Sequence, residues 1–276
     1  MILIDMSQIL FASASMSMKS GKADINIIRH MTLNSLKKYR KEYFDEYGEL
    51  VICCDGKHSW RREFFPQYKA ARKSGRETSS VDWSEVFEIF NQLKNEIKEN
   101  FPYRVIHVDT AEADDIIGTL VLRGREEGEK TLIISSDKDF IQLQMNDNVY
   151  QYSPITKKFL NGVDPNEYLK EHILRGDKGD GIPNVLSDDN VIVDRIRQTP
   201  ITKKNLEVWM EGSLPKEHAE RHERNTELID LRYTPWHLQN TILKQKEQEP
   251  VGNRNKLPAY FKEHKLEVLS THIRDF

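Results

Sequence analysis

The sequence predicts an α/β fold, in which helices flank a mostly parallel central sheet and a smaller helical region follows. The first observation is that short β-branched runs alternate with helical patterns up to about residue 160, as in parallel sheets whose strands are joined by helices. The second is that beyond residue 160 the pattern changes to short, polar segments punctuated by proline. A chain of 276 residues is also long enough to bury a sizeable core.

Five strands are predicted in the first part of the chain. Each is a short run of mainly apolar or β-branched residues that ends in polar or turn residues. These runs cover residues 1–4, 50–54, 103–108, 131–134 and 149–152.

Helices are predicted between these strands, because apolar residues recur there on one face at the helical period. The first begins near Ser7, and Asp24 and Asp82 are suited to cap the next two. A further helix runs from Glu112 to about residue 127, and a short one covers 140–145, with Asp139 as its cap.

The change of pattern divides the chain into an α/β domain, residues 1–160, and a helical region, residues 161–276. Asp164 and Pro165 start a helix that Gly176 stops. The later segments, broken by several prolines, predict short helices. We expect this region to pack on the first domain rather than to hang from a flexible linker.

Composition excludes several classes of protein. No apolar run approaches the length needed to span a bilayer, and the first residues resemble a strand rather than a signal peptide. Cys53 and Cys54 are adjacent in a predicted strand and therefore point to opposite faces. This predicts inert core thiols and a reducing, cytoplasmic location, which for a viral protein means the host cytoplasm. The formal net charge of −3 does not by itself indicate a nucleic-acid binder.

Acidic residues follow three of the predicted strands. Asp5 and Asp55 end the first two, and Asp137 and Asp139 follow the strand at 131–134. In an open parallel sheet, ligands bind beyond the carboxyl ends of the strands. Taken alone, the last pair also suits an ordinary strand-to-helix turn.

Two further acidic motifs are candidates for the same site. EADD contributes Glu112, Asp114 and Asp115, and GDKGD contributes Asp177 and Asp180. Acids in a first helical turn or a loop also occur without a ligand. Nine carboxylates held together require counterions, and Mg²⁺ prefers oxygen ligands. Two such ions roughly 4 Å apart are able to hydrolyse a phosphodiester. Removal of these nine acids turns the net charge of −3 into +6, which suits a polyanionic substrate.

A basic and aromatic segment, residues 57–76, follows Asp55. It offers cations for phosphates and rings for unpaired bases, although a solvated helix with one apolar face has a similar composition. The candidate nucleic-acid-binding residues in it are Arg61, Arg62, Tyr68, Lys69, Arg72 and Lys73.

Six motifs, in this order, resemble the 5′-nuclease (flap endonuclease) superfamily, whose fold is PIN-like, and within it the ribonuclease H branch of T-even bacteriophages. The motifs are LIDMSQI, VICCDG, WRREFFPQYKAAR, AEADDIIG, LIISSDKDFIQL and GDKGDGIPNV. The resemblance implies a Mg²⁺-dependent 5′→3′ exonuclease and flap endonuclease, with Mn²⁺ as a substitute. It implies that this enzyme removes RNA primers and short 5′ flaps during DNA replication and leaves 5′ phosphates.

The resemblance also implies roles for individual residues. Lys69 and Arg72 match the basic pair of a helical arch that acts on the scissile phosphate, beside the catalytic Asp5, Asp55 and Asp137. The implied metal ligands are Asp5, Asp55, Glu112, Asp114, Asp115, Asp137, Asp139, Asp177 and Asp180.

The C-terminal region departs from the family pattern. A helix-turn-helix-like grip on duplex DNA is implied, with Lys203 or Lys204 in place of the usual lysine, but the Gly-Ile-Gly turn of a monovalent-ion site is missing. The implied partners are flap and RNA–DNA duplexes, with single-stranded-DNA-binding protein and sliding clamp as possible protein partners. The terminal IRDF resembles a partner-binding tail, although a frayed terminus is the simpler interpretation. A monomer is expected.

Two alternatives from other classes stay open. A PIN-like endoribonuclease acting on single-stranded RNA has a similar acidic site but needs no long basic segment. A non-catalytic binder of branched DNA needs a metal only for structure. A comparison of flap and linear RNA substrates separates the endoribonuclease from a flap nuclease, and incubation of a 5′-flap duplex with and without Mg²⁺ separates the binder.

Overall fold

A parallel sheet forms the centre of the molecule in a computed structural model that describes residues 1–19, 22–145 and 147–276, without the side chains of residues 73, 74 and 77. Six strands in the described residues form the sheet in the order β3-β2-β1-β4-β5-β6. The first five are parallel and β6 pairs antiparallel with β5 at one edge, so the predicted mostly parallel sheet is confirmed. The strands are β1 (Ile2–Asp5), β2 (Leu50–Cys54), β3 (Arg104–His107), β4 (Thr131–Ile134), β5 (Val149–Ser153) and β6 (Lys158–Phe159).

Helices connect and cover these strands. The predicted caps Asp24 and Asp82 each accept two backbone N–H bonds at the start of their helices. The α-helices are α1 (Met6–Met18), α2 (Ile25–Tyr47), α3 (Arg61–Phe64), α4 (Ala70–Glu77), α5 (Trp83–Asn100), α6 (Ala113–Glu126), α7 (Pro165–Arg175), α8 (Lys203–Met210), α9 (Ala219–Ile229), α10 (Trp236–Glu247), α11 (Leu257–Glu263) and α12 (Glu267–Ser270).

The short helix after β4 differs from its prediction. It is a 3₁₀ helix, Lys138–Met145, so Asp139 lies inside its first turn. The carboxylate of Asp137 accepts the backbone N–H of Asp139 at 3.0 Å. Asp137 therefore supports the turn, and the side chain of Asp139 is free of the predicted capping role.

Both faces of the sheet are buried, because alternate side chains of each strand point to opposite faces. Ile2 and Ile4 pack with α1, α2 and α5. Leu3 packs on the other face with α6 and α10. Cys53 and Cys54 are both buried free thiols on opposite faces, as predicted.

The helical region after residue 160 packs against the sheet in several places. Helix α10 contributes to the core on one face, and α11 and α12 contribute to the core on the other. Helices α7 and α9 form a third cluster with Phe65 and Tyr68 of the segment 57–76. The boundary at residue 160 stays a prediction.

The part of the chain predicted to be helix-turn-helix-like has a long connection. Residues 176–202, between α7 and α8, form turns without a described helix or strand. Ion pairs tie this connection to α9, where Arg221 pairs with Asp188 and Arg224 pairs with Asp189. The two helices are therefore not joined by the short turn of a compact helix-turn-helix.

Phe276, the last residue of the terminal IRDF, packs into the core, so this end of the chain is not frayed. A partner-binding role for IRDF stays a prediction. The ring of Phe276 is 0% exposed and lies 5.5 Å from the ring of Phe101 and 5.3 Å from that of Phe261. Arg254 donates to the Phe276 carbonyl at 2.8 Å. This segment therefore stabilises the fold.

Phe276→Ala should lower the free energy of unfolding by about 3–5 kcal/mol, the usual loss for removing a fully buried ring. Urea denaturation followed by circular dichroism measures this. Val268→Ala is the matched control, because that side chain is 67% exposed and its loss should have little effect. Equal stability of the two variants would show that the Phe276 ring does not hold the core together.

Among the described residues, no helix is both long and apolar enough to cross a membrane.

Candidate active site

The carboxyl ends of three adjacent strands bring three acids to one edge of the sheet. Strand β1 lies between β2 and β4, so Asp5 at the end of β1 is flanked by Asp55 after β2 and Asp137 after β4. The three side chains line one cleft of about 770 Å³. Asp114, Asp139, Asp177 and Asp180 line the same cleft. Seven of the nine acids predicted from the sequence therefore meet here.

Asp5 is the most enclosed of the strand-end acids. Its carboxylate accepts the Ser135 hydroxyl at 2.9 Å and the Gln8 backbone N–H at 3.2 Å. Burial, followed by the charge of Asp55, raises the pKa of Asp5 to about 7. A cation beside these carboxylates would remove their repulsion and stabilise the ionised forms.

Asp55 and Asp114 connect the strand ends to α6. Asp55 accepts the backbone N–H of Ala113 at 2.8 Å, in the first turn of that helix, and also a hydrogen bond from Ser7. Burial raises the pKa of Asp114 well above its usual value; Lys69 opposes this rise, and Asp137 adds to it. Asp114 therefore belongs with Asp5, Asp55 and Asp137, and these four carboxylates form the acidic centre.

A second group of candidate metal ligands, Asp139, His172 and Asp177, lies beside the acidic centre, where the 3₁₀ helix, α7 and the GDKGD turn meet. One ligand atom each from Asp139, His172 and Asp177 lies within 4.8 Å of the other two. Burial and the repulsion of Asp137 raise the pKa of Asp139 to about 7. Burial would raise the pKa of Asp177, but hydrogen bonding to His172 lowers it.

His172 is the site residue that the sequence reasoning missed. Burial opposes its charge, but Asp177 and Asp139 raise its pKa above the usual value. It lies on α7, five residues before Asp177, at a spacing that matches no zinc motif. The only signal in the sequence was its place in the helix that leads into GDKGD.

Glu112 faces cations rather than the other acids. It accepts hydrogen bonds from Lys69 at 2.5 Å, Tyr68 at 2.7 Å and Ser59 at 2.9 Å. Burial would raise the pKa of Glu112, but Lys69 and Arg61 lower it to about 2. Glu112 is thus ionised and holds Lys69 at the edge of the cleft, which Lys69 also lines.

Asp115 and Arg61 form a buried pair, which corrects their predicted roles. Asp115 is 0% exposed and accepts from Arg61 at 3.0 Å, Trp60 at 3.2 Å and Thr234 at 3.0 Å. Arg61 is 2% exposed and also donates to the Leu228 carbonyl. Asp115 is therefore shielded from a metal, Arg61 is shielded from nucleic acid, and the pair holds α3 against α6.

Tyr68 needs the same correction. It is buried, and its hydroxyl lies 2.7 Å from the Glu112 carboxylate and 3.0 Å from that of Asp180. Its ring is therefore not a stacking surface for an unpaired base; it supports Glu112 and Asp180.

Arg61→Met should lower the free energy of unfolding by about 3–5 kcal/mol, because it leaves the buried carboxylate of Asp115 without its cation. Thermal or urea unfolding measures the loss. Arg62→Met is the matched control, since Arg62 is the next residue of α3 and is exposed; its stability should change by about 0.5 kcal/mol or less. A stable Arg61→Met protein that fails only to bind DNA would contradict this assignment.

The segment 57–76 is anchored at its base to the GDKGD turn. The Lys69 backbone N–H donates to the Asp180 carbonyl at 2.7 Å, and Arg72 and Lys69 form ion pairs with the Asp180 carboxylate. A Cβ added to Gly181, whose φ is +79°, would lie 2.8 Å from the Gln67 carbonyl oxygen. Asp180 thus faces the basic segment, and glycine is required for the close approach.

Three other predicted nucleic-acid-binding residues do not line the cleft. Arg62 is exposed on α3. Lys203 and Lys204 are exposed at the start of α8, behind the Thr202 cap. The side chain of Lys73 lies outside the described residues. These exposed cations are available to a phosphate backbone.

The donor set fits divalent cations. Asp5, Asp55, Asp114 and Asp137 offer carboxylate oxygens, which hard cations prefer. The second group adds the Nδ1 atom of His172, which is buried and has no hydrogen-bond partner among the described residues. The pKa values of Asp5, Asp114 and Asp139 are raised, and carboxyl groups of this kind together with an unsatisfied buried nitrogen are typical of a metal site.

Comparisons with known proteins identify the family of the chain. A family model described as the 5′-3′ exonuclease N-terminal resolvase-like domain matches residues 1–173, and one described as T4 RNase H, C terminal, matches residues 165–276. Ribonuclease H of Enterobacteria phage T4 is 33% identical over 99% of this chain and 95% of its own. Flap endonuclease Xni of Shewanella sp. MR-4 is 32% identical over 49% of this chain and 52% of its own.

Solved structures share the fold. The bacteriophage T5 D15 flap endonuclease, in a complex with DNA and metal ions, has a TM-score of 0.64 at 19% identity and covers 90% of this chain and 99% of its own. At that identity the likeness concerns the fold alone. The two family models that span the chain, together with the full-length relative, show that it belongs to the 5′-3′ exonuclease family of metal-dependent nucleases.

Proposed function

We propose that this protein is a Mg²⁺-dependent 5′→3′ exonuclease and flap endonuclease that removes RNA primers and short 5′ flaps during DNA replication. The observation that carries the proposal is the meeting of Asp5, Asp55, Asp114 and Asp137 in one cleft with the half-buried ammonium group of Lys69 at its edge. Carboxylates bind the cations of a phosphodiesterase, and an ammonium group stabilises the charge of the reacting phosphate.

The acidic centre would hold two divalent cations, Mg²⁺ or in its place Mn²⁺. Such ions would activate a water molecule and stabilise the 3′ oxygen that departs from a phosphodiester. The product of this cleavage carries a 5′ phosphate. Asp5 and Asp137 are positioned by bonds to Ser135 and to the turn that follows β4. Asp55 is held by the first turn of α6. These contacts fix the ligands on strand ends and helix termini, which favours a preorganised site.

Lys69 and Arg72 would bind the scissile phosphate. Glu112 and Asp180 hold Lys69, and Arg72, about half exposed, reaches the same cleft from α4. A phosphate held between these two side chains and the divalent cations that the acids would bind would be neutralised from both sides.

The substrate would be a duplex with a 5′ end or a 5′ flap, either DNA or an RNA–DNA hybrid. Arg62, Lys203 and Lys204 are exposed and would contact phosphates of the duplex without reading bases. Single-stranded-DNA-binding protein and the sliding clamp are proposed partners at the replication fork, and the enzyme would act as a monomer.

A labelled 5′-flap duplex, incubated with and without Mg²⁺, tests the proposal. We expect Mg²⁺-dependent release of the flap with a 5′ phosphate on the product, weaker cleavage of linear single-stranded RNA, and activity with Mn²⁺. Preference for linear RNA would favour an endoribonuclease, and an intact but bound flap would favour a non-catalytic binder.

A further inference from the structure

His172 lies between two of the acids in the second group. Its Nε2 atom is 3.3 Å from Asp177 Oδ2, and its Nδ1 atom is 3.5 Å from Asp139 Oδ1. The side chain is only 12% exposed, and the ring of Tyr168 packs against it at 5.5 Å. The imidazole is therefore held in place by α7 and is not a mobile surface group.

These separations suit ligands of one cation. Donors at about 2.1 Å from an octahedral ion are about 3 Å apart when adjacent and about 4.2 Å apart when opposite. One atom from each of Asp139, His172 and Asp177 lies within 4.8 Å of the others. A cation can therefore be held by two oxygens and one nitrogen with only small movements of the side chains.

The Nδ1 atom is unsatisfied in the described residues. It is buried without a hydrogen-bond partner, and a buried polar atom of this kind needs an explanation. The neighbouring carboxylate of Asp139 is too distant for a good hydrogen bond. A metal ion bound through an imidazole nitrogen would satisfy the ring, because neutral imidazole is a common metal ligand.

We propose that His172 supplies a nitrogen ligand to the cation bound by Asp139 and Asp177, and that this site prefers later first-row metals such as Co²⁺ to Mg²⁺. Carboxylates suit Mg²⁺, whereas imidazole favours later first-row metals. The acidic centre at Asp5, Asp55, Asp114 and Asp137, with oxygen donors only, lacks this preference. The inference rests on the proposed two-cation function. It gives the acidic centre and the second group different metal selectivities.

The test is electron spin-echo envelope modulation spectroscopy of Mn²⁺ bound to the protein without nucleic acid, which detects nitrogen nuclei close to the metal ion. The wild type should show nitrogen modulation that changes when its histidines carry ¹⁵N, and His172→Gln should lose it. His237→Gln, at an exposed position on α10, is the matched control and should keep it. Calorimetry should show Co²⁺ binding to the second site weakened about tenfold or more in His172→Gln, since loss of a group that only orients a metal ligand already costs about tenfold, with Mg²⁺ binding much less affected.

Absence of nitrogen modulation in the wild type, or its persistence in His172→Gln, would overturn the proposal. The ¹⁵N comparison uses wild-type protein and therefore does not depend on the variant folding. Failure of flap cleavage with an intact nitrogen signal would refute the proposed function alone. Flap cleavage without a nitrogen signal would refute only the role of His172.

Discussion

Asp137→Asn should reduce Mg²⁺-dependent cleavage of a 5′-flap duplex by about 10³-fold or more. Asp137 follows β4 and lies in the cleft with Asp5, Asp55 and Asp114. Its charge contributes to the raised pKa values of three neighbouring carboxyl groups, those of Asp5, Asp114 and Asp139. An amide at this position weakens cation binding. Since a bound cation contributes several kcal/mol to catalysis, and each 1.4 kcal/mol or so is tenfold in rate, the loss should be large.

The fold and DNA binding of this variant should be retained, because Asp137 is exposed and Asn can still accept the Asp139 N–H bond. Single-turnover cleavage measures the chemical step, and fluorescence anisotropy in Ca²⁺ measures flap binding. Asp109→Asn is the matched control: this acid also follows a strand, but its side chain is 84% exposed and does not line the cleft. Near-normal turnover by Asp137→Asn would remove Asp137 from the metal centre.

The strand-end acids were predictable because the relevant regularities are local. An apolar run that ends in aspartate identifies a strand and its carboxyl end, and parallel order then brings those ends to one edge. Asp5, Asp55 and Asp137 meet as this rule requires. The caps Asp24 and Asp82 follow from equally local chemistry.

The errors concern contacts that local patterns do not contain. Asp114 and Asp115 are adjacent in one helical turn, and only distant partners decide that Asp115 turns inward, namely Arg61 and Thr234. Arg61 carries a charge like its neighbour Arg62, but it is enclosed by the Leu228 carbonyl from α9. Phe276 lies beside polar residues in sequence and beside Phe101 in space.

Lys69→Met should lower kcat for flap cleavage by about 10²–10³-fold, the loss typical for one preorganised charge at a reacting centre. Burial lowers the pKa of Lys69, but Glu112 and Asp180 raise it above its usual value, so the side chain is an ammonium ion at any working pH. Methionine keeps a similar length and volume but removes the charge. A phosphate held between Lys69 and the bound divalent cations would lose the charge of Lys69.

Lys69 also has a structural role, since it pairs with Glu112 and Asp180, so rate and stability have to be separated. If the metal-binding acids stay in place in Lys69→Met, KM and the affinity for Mn²⁺ should be close to those of the wild type while kcat falls. Lys57→Met is the matched control, because Lys57 belongs to the same basic segment but is exposed, and loss of its charge should weaken flap binding slightly without lowering kcat. If Lys69→Met instead lowers the unfolding midpoint and leaves kcat of the folded fraction intact, then Lys69 only anchors the segment 57–76, and the charge on the phosphate must come from Arg72 and the cations alone.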